Sequence, residues 1–556
     1  MTTPPDAQRT HSHSRHHTGR LLQSSAVIGV GTALSRVTGF LRVAAIAYAL
    51  GVSTLAGVYS YANETPNILY ELLLGGVLTA TLVPLFVRHV TNHDDDATSA
   101  VFTTSMLSLL AITLAGILLA PWIVDLYTLK VTGPSRVPQQ ELATAFLRCF
   151  MPQILFYGMT ALTTALLQAR HRFVAAAFAP ILNNVVVIGI FLALPHFVAR
   201  PITVNGVRDD KALLLLIGLG TTAGIAATAL VMLPVLRAAR IRLRFLAQWR
   251  HTAVRTMVRL SGWTVGYVIA NQVALWVVLV LANEHRGGAF AYLAAYAFFQ
   301  LPHGLFSVSI MTAVAPELAA AGGRGDPPAL RHRFSRALRL TLTVLVPAAA
   351  IYVALARPIV VALLQRGAFT AGNATLVADT LVGFAIGLPF FSTYLFALRA
   401  FYSLEDTRTP FVLNCIENVV NIALALAFFG PFGIPGLAYA FSIAYAIAAA
   451  ATLAVLGRRI GGLRGRGIGT TGLRVLAVSV AASVGAWACA QQIGWDSTGA
   501  AVASVLVGTV AAVAVILGGF ALQRLEEFHE LSTLLRNRLG NRGKRRSGAP
   551  AGNSAP

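Results

Sequence analysis

The sequence predicts an all-α polytopic membrane protein with about fourteen transmembrane helices: two six-helix lobes in parallel repeat, followed by two extra C-terminal helices. Three observations carry this. The 556 residues are 56% hydrophobic and only 12% charged, with a mean hydropathy of +0.69. Soluble proteins are typically about 25% charged, so this chain lacks the polar surface to cover itself in water, which excludes a cytosolic enzyme and a disordered chain. The apolar residues fall into runs of membrane length. The two halves of the chain also match each other at a common offset.

A helix crossing about 30 Å of hydrocarbon needs about 20 mostly apolar residues. Fourteen stretches meet that need: 25–50, 54–87, 98–124, 142–168, 173–198, 212–237, 253–283, 290–318, 335–356, 374–402, 410–429, 433–457, 470–492 and 498–522. Short links rich in Gly, Pro or charge join them, such as Arg170-His171-Arg172 and Gly430-Pro431-Phe432-Gly433, and leave no room for a large extramembrane domain. A signal peptide has a shorter apolar core followed by a cleavage site. The stretch 25–50 instead runs to membrane length and carries Arg36 and Arg42, so it reads as a retained helix. Cys149, Cys415 and Cys489 lie inside apolar runs, with neither a disulfide framework nor a metal spacing.

Loop charge sets the orientation. Loops on the N-terminal side hold 22 arginines between Arg88 and Arg474, against eight Lys and Arg on the opposite side. Positive charge stays in the cytoplasm, so both termini are expected there. The net charge of +22 is thus first a topology signal. The basic end (Arg536, Arg538, Arg542, Lys544, Arg545, Arg546) fits anionic lipid better than nucleic acid. The His-rich start (His11, His13, His16, His17) reads as a disordered tail rather than a metal site. The expected parts are a cytoplasmic tail 1–24, an N-lobe 25–245 with spans 1–6, a C-lobe 246–460 with spans 7–12, an extra helix pair 461–525 and a basic cytoplasmic tail 526–556.

Three pairs of segments carry the repeat. Pro152 and Pro389 each begin an aromatic-rich run that ends in arginine. Leu182-Asn183-Asn184-Val185-Val186 corresponds to Ile416-Glu417-Asn418-Val419-Val420, and Thr81-Leu82-Val83-Pro84 to Thr312-Ala313-Val314-Ala315-Pro316. The offsets are 237, 234 and 232. Six spans separate equivalent points, so both lobes have one orientation. Parallel repeats about an axis along the membrane normal make a cavity whose ends open alternately, which is a transporter's architecture.

Charges inside a membrane are costly and line cavities. Arg36 and Arg42 lie within the first span; Glu64, Asn67 and Glu71 share one face of the second. Two readings stand. The arginines pair with Glu64 or Glu71 and hold helices together, or they bind an anionic group that the acids keep them poised for. Arginine's planar fork suits phosphate through bidentate hydrogen bonds. In the eleventh span Asn414, Glu417, Asn418 and Asn421 form a stripe, either a cation site for Na⁺ or interhelical hydrogen bonds. Asn271, Gln272, Gln300 and His303 are further polar residues inside spans, His303 more simply a satisfied core residue. No Walker loop, nucleophile elbow or paired hydrolytic carboxylates occur, which argues against an ATP-driven pump and against an enzyme.

With these residues on the page, the sequence resembles the lipid II flippase family (MurJ/MviN) of the MOP exporter superfamily, in an actinobacterial-like branch. The first span carries the family's pattern as Ser35-Arg36-Val37-Thr38-Gly39-Phe40-Leu41-Arg42. The second has Pro66-Asn67 and Leu82-Val83-Pro84, the eighth Gln300-Leu301-Pro302-His303-Gly304, and the tenth runs into Phe401-Tyr402-Ser403-Leu404-Glu405-Asp406-Thr407-Arg408-Thr409-Pro410. The match covers about residues 24–525. It implies a V-shaped fold moving lipid-linked peptidoglycan precursor outward by alternating access, with Arg36 and Arg42 at the positions of the family's cavity arginines; Asn67, Glu71, Gln300 and Arg474 are the further candidate substrate contacts. It also implies a groove for the polyprenyl tail at the last two helices, whose small residues suit such a trough. No catalytic residue, bound metal or cofactor is implied; Na⁺ or H⁺ coupling or the membrane potential is the expected drive. Expected partners are lipid II, membrane lipids and cell-wall synthesis proteins. Family members carry further arginines where this chain has Tyr70 or Glu71 and Ala297, and an acid where it has Val43. Arg148, Arg259, Arg399 and Arg474 are candidates to compensate. A flippase for another polyprenyl-diphosphate glycan and a non-transporting cell-wall scaffold are the alternatives; a multidrug exporter fits less well, because organic cations favour an acidic cavity.

Overall fold

The computed structural model describes residues 30–71, 85–88, 94–170, 172–198, 201–239, 241, 243–248, 262–463 and 465–525. The tails 1–24 and 526–556, the segment Thr81-Leu82-Val83-Pro84, and Arg259 lie outside them. Among the described residues no strand occurs. The helices are α1 (Val30–Leu50), then α2 (Thr54–Tyr70), α3 (Asp95–Tyr127), α4 (Arg136–Phe150), α5 (Gln153–Ala169), α6 (Val174–Phe197), α7 (Val204–Asp209), α8 (Lys211–Leu230) and α9 (Met232–Ala238). They continue with α10 (Gly262–Ala282), α11 (Gly288–Pro302), α12 (Val308–Gly323), α13 (Pro327–Leu364), α14 (Ala371–Ser403), α15 (Arg408–Arg459), α16 (Gly465–Ile493) and α17 (Thr498–Leu522).

The described residues form twelve candidate spans long and apolar enough to cross a membrane, so this is a multi-pass membrane protein. The difference from the fourteen expected stretches has two sources. Stretch 54–87 is described only to Glu71 and again over 85–88. Stretches 410–429 and 433–457 merge into the 52-residue α15. At 1.5 Å per residue a straight helix of that length runs about 78 Å, more than twice the hydrocarbon thickness. It is not straight: Gly433, between Pro431 and Pro435, breaks it at φ 58, ψ −139. Two other expected single stretches are interrupted. Stretch 142–168 is α4 and α5, parted at Met151 and Pro152. Stretch 290–318 is α11 and α12 joined by a π-helical turn over His303–Ser307, directly after Pro302. Proline removes an amide donor, and the ladder adjusts around it.

Several helices begin where a side chain satisfies free amides. Asp94 Oδ1 accepts from Ala97 N at 2.9 Å ahead of α3, whose first turn holds Asp95 and Asp96. Asp210 caps α8 at 2.9 and 3.1 Å, and Ser497 caps α17 at 3.2 Å. Each cap satisfies a free donor, and acids in the first turn complement the helix dipole. Lipid-length faces remain apolar and exposed, as at Leu118, Trp122, Leu506 and Val510. Outside the spans, the Asp209 carboxylate hydrogen-bonds Arg208 at 2.8 Å and pushes that guanidinium's pKa further up, with Glu141 at 3.3 Å adding to it.

The chain divides into two compact units. The first comprises 1–301, 363–384 and 406–448; the second comprises 302–362, 385–405 and 449–556. Within the first, Tyr59 meets Phe146, Phe150 and Phe191 edge-on at 5.1–6.3 Å. A second aromatic cluster gathers Tyr296, Phe299, Phe384 and Phe441. The repeat is visible in hydrogen bonds. Asn184 Nδ2 donates to Thr38 Oγ1 at 2.9 Å and to Ser35 O at 3.3 Å, tying α6 to α1. Its counterpart Asn418 donates to Asn271 Oδ1 at 3.3 Å, tying α15 to α10.

At one end of this unit the chain between α1 and α2 meets two loops. Ala368 N donates to Tyr48 O at 2.9 Å, and Val52 N to Asn373 Oδ1 at 3.1 Å. Gly287, at φ 71, lies so close that a Cβ there would stand 2.7 Å from Val52 C and 2.9 Å from Ser53 N. A cavity of about 530 Å³ opens beside it, rimmed by Thr54, Lys130, Ser135, Asn283, His285 and Arg286.

In the second unit, Phe334 stacks on Phe396 at 5.1 Å. α16 and α17 pack along their length through Ser479, Ala482, Ala486, Ser504 and Ala512, all buried. A Cβ on Gly519 would meet Val478, and one on Gly508 would meet Leu355 and Ala486. The buried small residues of this pair serve close docking, because small side chains let helix backbones approach, while Ala477, Ala481 and Ala514 are exposed beside the bulkier Leu476, Val480, Val484 and Trp487.

Candidate functional site

The first unit holds a polar group inside its spans, built on α1 and α2. On α1, Arg36 is exposed and Arg42 half-buried. On α2, Asn67 Nδ2 donates to Glu64 Oε1 at 2.8 Å, a one-turn pair on one face. Glu71, half-buried, ends the helix. Among the described residues no ion pair joins Arg36 or Arg42 to Glu64 or Glu71; the ion pairs found are Arg208 with Glu141 and Asp209, and Arg333 with Glu317. Neither α1 guanidinium has a hydrogen bond to a described residue. Helix pairing through Arg–Glu salt bridges is therefore not what holds α1 to α2.

Tyrosines complete the group. Tyr157 on α5 lies in the field of Arg42, Glu64 and Glu71, and its ring sits 5.3 Å from that of Tyr70. Tyr59 and Glu64 both feel Arg42. Tyr296 on α11 feels Glu64, Arg36 and Glu417, and its hydroxyl accepts from Gln300 Nε2 at 2.6 Å. Behind them, Gln153 Nε2 bridges Asn63 Oδ1 and Thr222 Oγ1, each at 3.2 Å. Arg36, Arg42, Asn67, Glu71 and Gln300 thus belong to one set of polar side chains. Tyr59, Tyr157, Tyr296 and Gln153 were not singled out from the sequence: in apolar runs they read as core, and only their hydroxyl and amide groups hint otherwise. Arg474 stands in the second unit, exposed on α16. His303 is a satisfied buried residue, its Nδ1 2.9 Å from Ser392 Oγ and its ring against Phe391 at 4.8 Å.

The α15 stripe divides in two. Asn271 and Asn414 exchange amide hydrogen bonds at 3.2 and 3.4 Å, and Asn418 donates to Asn271 Oδ1 and to Asn414 O. Glu417 is 2% exposed, and among the described residues neither of its carboxyl oxygens has a hydrogen-bond partner; Asn421 Oδ1, one turn on, has none either. Two arginines that make no salt bridge among the described residues can take an anion by bidentate hydrogen bonds. A buried carboxyl without a partner can take a cation.

The family model for "Lipid II flippase MurJ" matches residues 46–499. A probable lipid II flippase MurJ of Rhizobium meliloti is 28% identical over 429 residues, covering 76% of this chain and 78% of the relative. One of Synechocystis sp. is 26% identical over 486 residues, covering 84% and 87%. The lipid II flippase MurJ of Thermosipho africanus is 24% identical over 425 residues, covering 76% and 83%. A solved lipid II flippase MurJ in an inward closed conformation superposes with a TM-score of 0.73 at 20% identity, over 90% of this chain and 100% of that one. An inward-facing multidrug resistance MATE transporter of the MOP superfamily gives 0.63 at 14% identity, over 77% and 98%. At such identities the structural matches speak for the fold.

Proposed function

Because the chain belongs to the lipid II flippase MurJ family, we propose that it moves lipid II, the lipid-linked peptidoglycan precursor, from the inner to the outer leaflet of the cytoplasmic membrane. It is a transporter, not an enzyme. The observation that carries the site is the pair Arg36 and Arg42, on a membrane-spanning helix and in no salt bridge with a described residue. A charge held inside a span is costly unless a ligand or cavity compensates it. A diphosphate supplies that compensation, two guanidinium forks meeting its oxygens. Asn67, Gln300 and the Tyr157 and Tyr296 hydroxyls offer hydrogen bonds to the attached sugar, while Glu64 and Glu71 keep the arginines from trapping the anion permanently.

The orientation that loop arginines favour puts both termini in the cytoplasm, so the substrate enters from the N-terminal side. Arg474 is assigned a role near that entry. Coupling to Na⁺, to H⁺ or to the membrane potential is part of the proposal, with Asn414, Glu417, Asn418 and Asn421 as the region that would take an ion. Cell-wall synthesis proteins would receive the product. One observation favours a variant of this reading. Tyr70, which occupies a position where relatives were expected to carry arginine, pairs with Tyr157. Two aromatic rings in place of a cation suit stacking on a sugar face, so a polyprenyl-diphosphate glycan other than lipid II remains the second substrate to test. The test is a leaflet-resolved assay of lipid II in cells depleted of the protein. Accumulation in the inner leaflet supports the proposal; normal outer-leaflet lipid II with arrested growth supports a scaffold instead.

A further inference from the structure

The cavity of about 530 Å³ beside Gly287 takes no part in the site on α1 and α2. Its walls come from both repeats. Thr54 opens α2, Lys130 and Ser135 lie between α3 and α4, and Glu284, His285 and Arg286 lie between α10 and α11. These connections follow the first, third and seventh apolar stretches, so they share the face opposite the N-terminus. The chain after the first stretch and the chain after the seventh are equivalent points of the duplication, and they meet directly at Val52 and Gly287. From Arg42 to Leu50 α1 rises about 12 Å, so the cavity lies well beyond the arginine pair. Charge accumulates at this seam. Lys130 from one repeat and Arg286 from the other are exposed, and neither is in a salt bridge with a described residue. Glu284 is the one acid among the described residues that line the cavity. His285 adds an imidazole, its ring edge-on to Phe429 at 5.1 Å. Like charges lining one cavity from two repeats repel, which works against the backbone contact at Gly287. An anion between them reverses the sign, because both walls are then drawn to it.

We propose that this cavity binds an anion of the phosphate class, a phosphomonoester or a diphosphate, and that the bound anion clips the two repeats together at this end. The donor set selects the class. A carboxylate accepts at about four lone-pair positions. The Lys130 ammonium and the Arg286 guanidinium together bring more donors than that, and the Thr54 and Ser135 hydroxyls add to them. A phosphate or diphosphate, with more oxygens and more charge, uses such a set more fully, and the guanidinium fork meets two of its oxygens at once. Room is sufficient: at about 30 Å³ per water, the cavity holds a diphosphate with water around it. A soluble phosphate and the phosphate headgroup of a lipid share this chemistry. Occupancy ties Lys130 to Arg286 through the anion, so this end opens less readily when the cavity is filled.

Binding here is independent of the flippase reading; an effect on transport rests on it. In the first arm of the test, inorganic diphosphate is titrated calorimetrically into the full-length protein in phosphatidylcholine nanodiscs. Loop variants are made both in the wild type and in Arg36→Ala/Arg42→Ala, which lacks the other arginine pair. The expected result is one binding event that survives Arg36→Ala/Arg42→Ala. Arg286→Gln and Lys130→Gln each weaken it by about tenfold, the worth of a charged hydrogen bond. Glu284→Gln tightens it by about threefold, because an exposed like charge is removed. All three residues are exposed, so these changes leave the melting temperature without diphosphate unaltered. No binding to the wild type, affinity unchanged in both Arg286→Gln and Lys130→Gln, or affinity indifferent to Glu284→Gln overturns the proposal. Phosphatidic acid in the nanodisc identifies the source: a lipid headgroup competes with diphosphate in the wild type more than in Arg286→Gln, whereas a soluble anion leaves the two alike. In the second arm, diphosphate on the cavity's side of vesicles slows lipid II movement in the wild type and not in Arg286→Gln; equal slowing in both refutes the clip. No lipid II movement in the wild type, with calorimetric binding intact, counts against the flippase reading and leaves the anion site standing.

Discussion

Gly287→Ala should unlatch one end of the first unit. Gly287 has φ 71, a left-handed conformation that costs an L-residue about 1–2 kcal/mol. The new methyl group would lie 2.7 Å from Val52 C and 2.9 Å from Ser53 N. Those are main-chain atoms and cannot rotate away, so the segment from Val52 must move. Strain and displacement together should disfavour the observed packing by about 2 kcal/mol, a shift of about thirtyfold in population. Gly133→Ala is the control. It sits at φ 83 with nothing within 4 Å of its Cβ, so it carries the backbone penalty without the clash. The assay is a spin-label distance distribution between Thr54 and Arg286, which rim the same cavity. Gly287→Ala should populate a longer distance while the melting temperature falls only as much as in Gly133→Ala. An unchanged distribution in Gly287→Ala would refute the argument that backbone contact at Gly287 holds this end closed.

Four further outcomes follow from the same geometry. Arg42→Ala should abolish lipid II movement in the leaflet assay with normal membrane insertion, and Arg42→Lys should restore it only in part, because an ammonium lacks the planar fork; normal growth on Arg42→Ala at normal expression would end the diphosphate clamp. Arg36→Ala should reduce transport without lowering the melting temperature, since no ion pair to Glu64 or Glu71 is lost; a drop in stability rescued by Glu64→Gln would restore the helix-pairing role. Asn184→Leu and Asn418→Leu should each cost about 1 kcal/mol, the worth of an interhelical hydrogen bond in a membrane, read as unfolding in graded detergent. Ala482→Phe should overpack the α16–α17 seam and destabilise by about 1–3 kcal/mol, whereas Val484→Phe on the exposed side should fold normally; transport blocked by Val484→Phe alone would place a lipid path on that outer side.

What the sequence made legible is what periodicity and charge can report. A span is a run of apolar residues, so α3, α6, α8 with α9, and α17 fall within a few residues of the stretches 98–124, 173–198, 212–237 and 498–522. Where proline or glycine interrupts the backbone, hydropathy is blind. The parting at Pro152 and the π-helical turn after Pro302 lie in chemically ordinary apolar sequence, whereas the break at Gly433 falls in the Gly- and Pro-rich link Gly430-Pro431-Phe432-Gly433 that the sequence marked. The aromatic lining of the site was hidden for the same reason, because Tyr59, Tyr157 and Tyr296 are hydrophobic by composition and show their polarity only through a hydroxyl in a particular place.

The asparagine and glutamate stripe shows how far residue spacing reaches and where it stops. Spacing put Asn414, Glu417, Asn418 and Asn421 on one side of a helix, and left interhelical hydrogen bonding as the simpler use for their oxygens and metal coordination as the other. Hydrogen bonds separate the members: Asn414 and Asn418 are spent on Asn271, while Glu417 and Asn421 keep unpartnered oxygens. The duplication then assigns each its role. Asn184 and Asn418, at equivalent points, both tie a helix to the first helix of their repeat, which marks that position as architectural. Asn183 and Glu417, one residue earlier in each repeat, both point an unsatisfied oxygen into the protein, and there the copies differ in charge. Architecture is kept alike in both repeats because both must pack. A difference in charge at an otherwise equivalent buried place has no packing reason, and it is at such a place that one repeat can respond to an ion while the other stays inert.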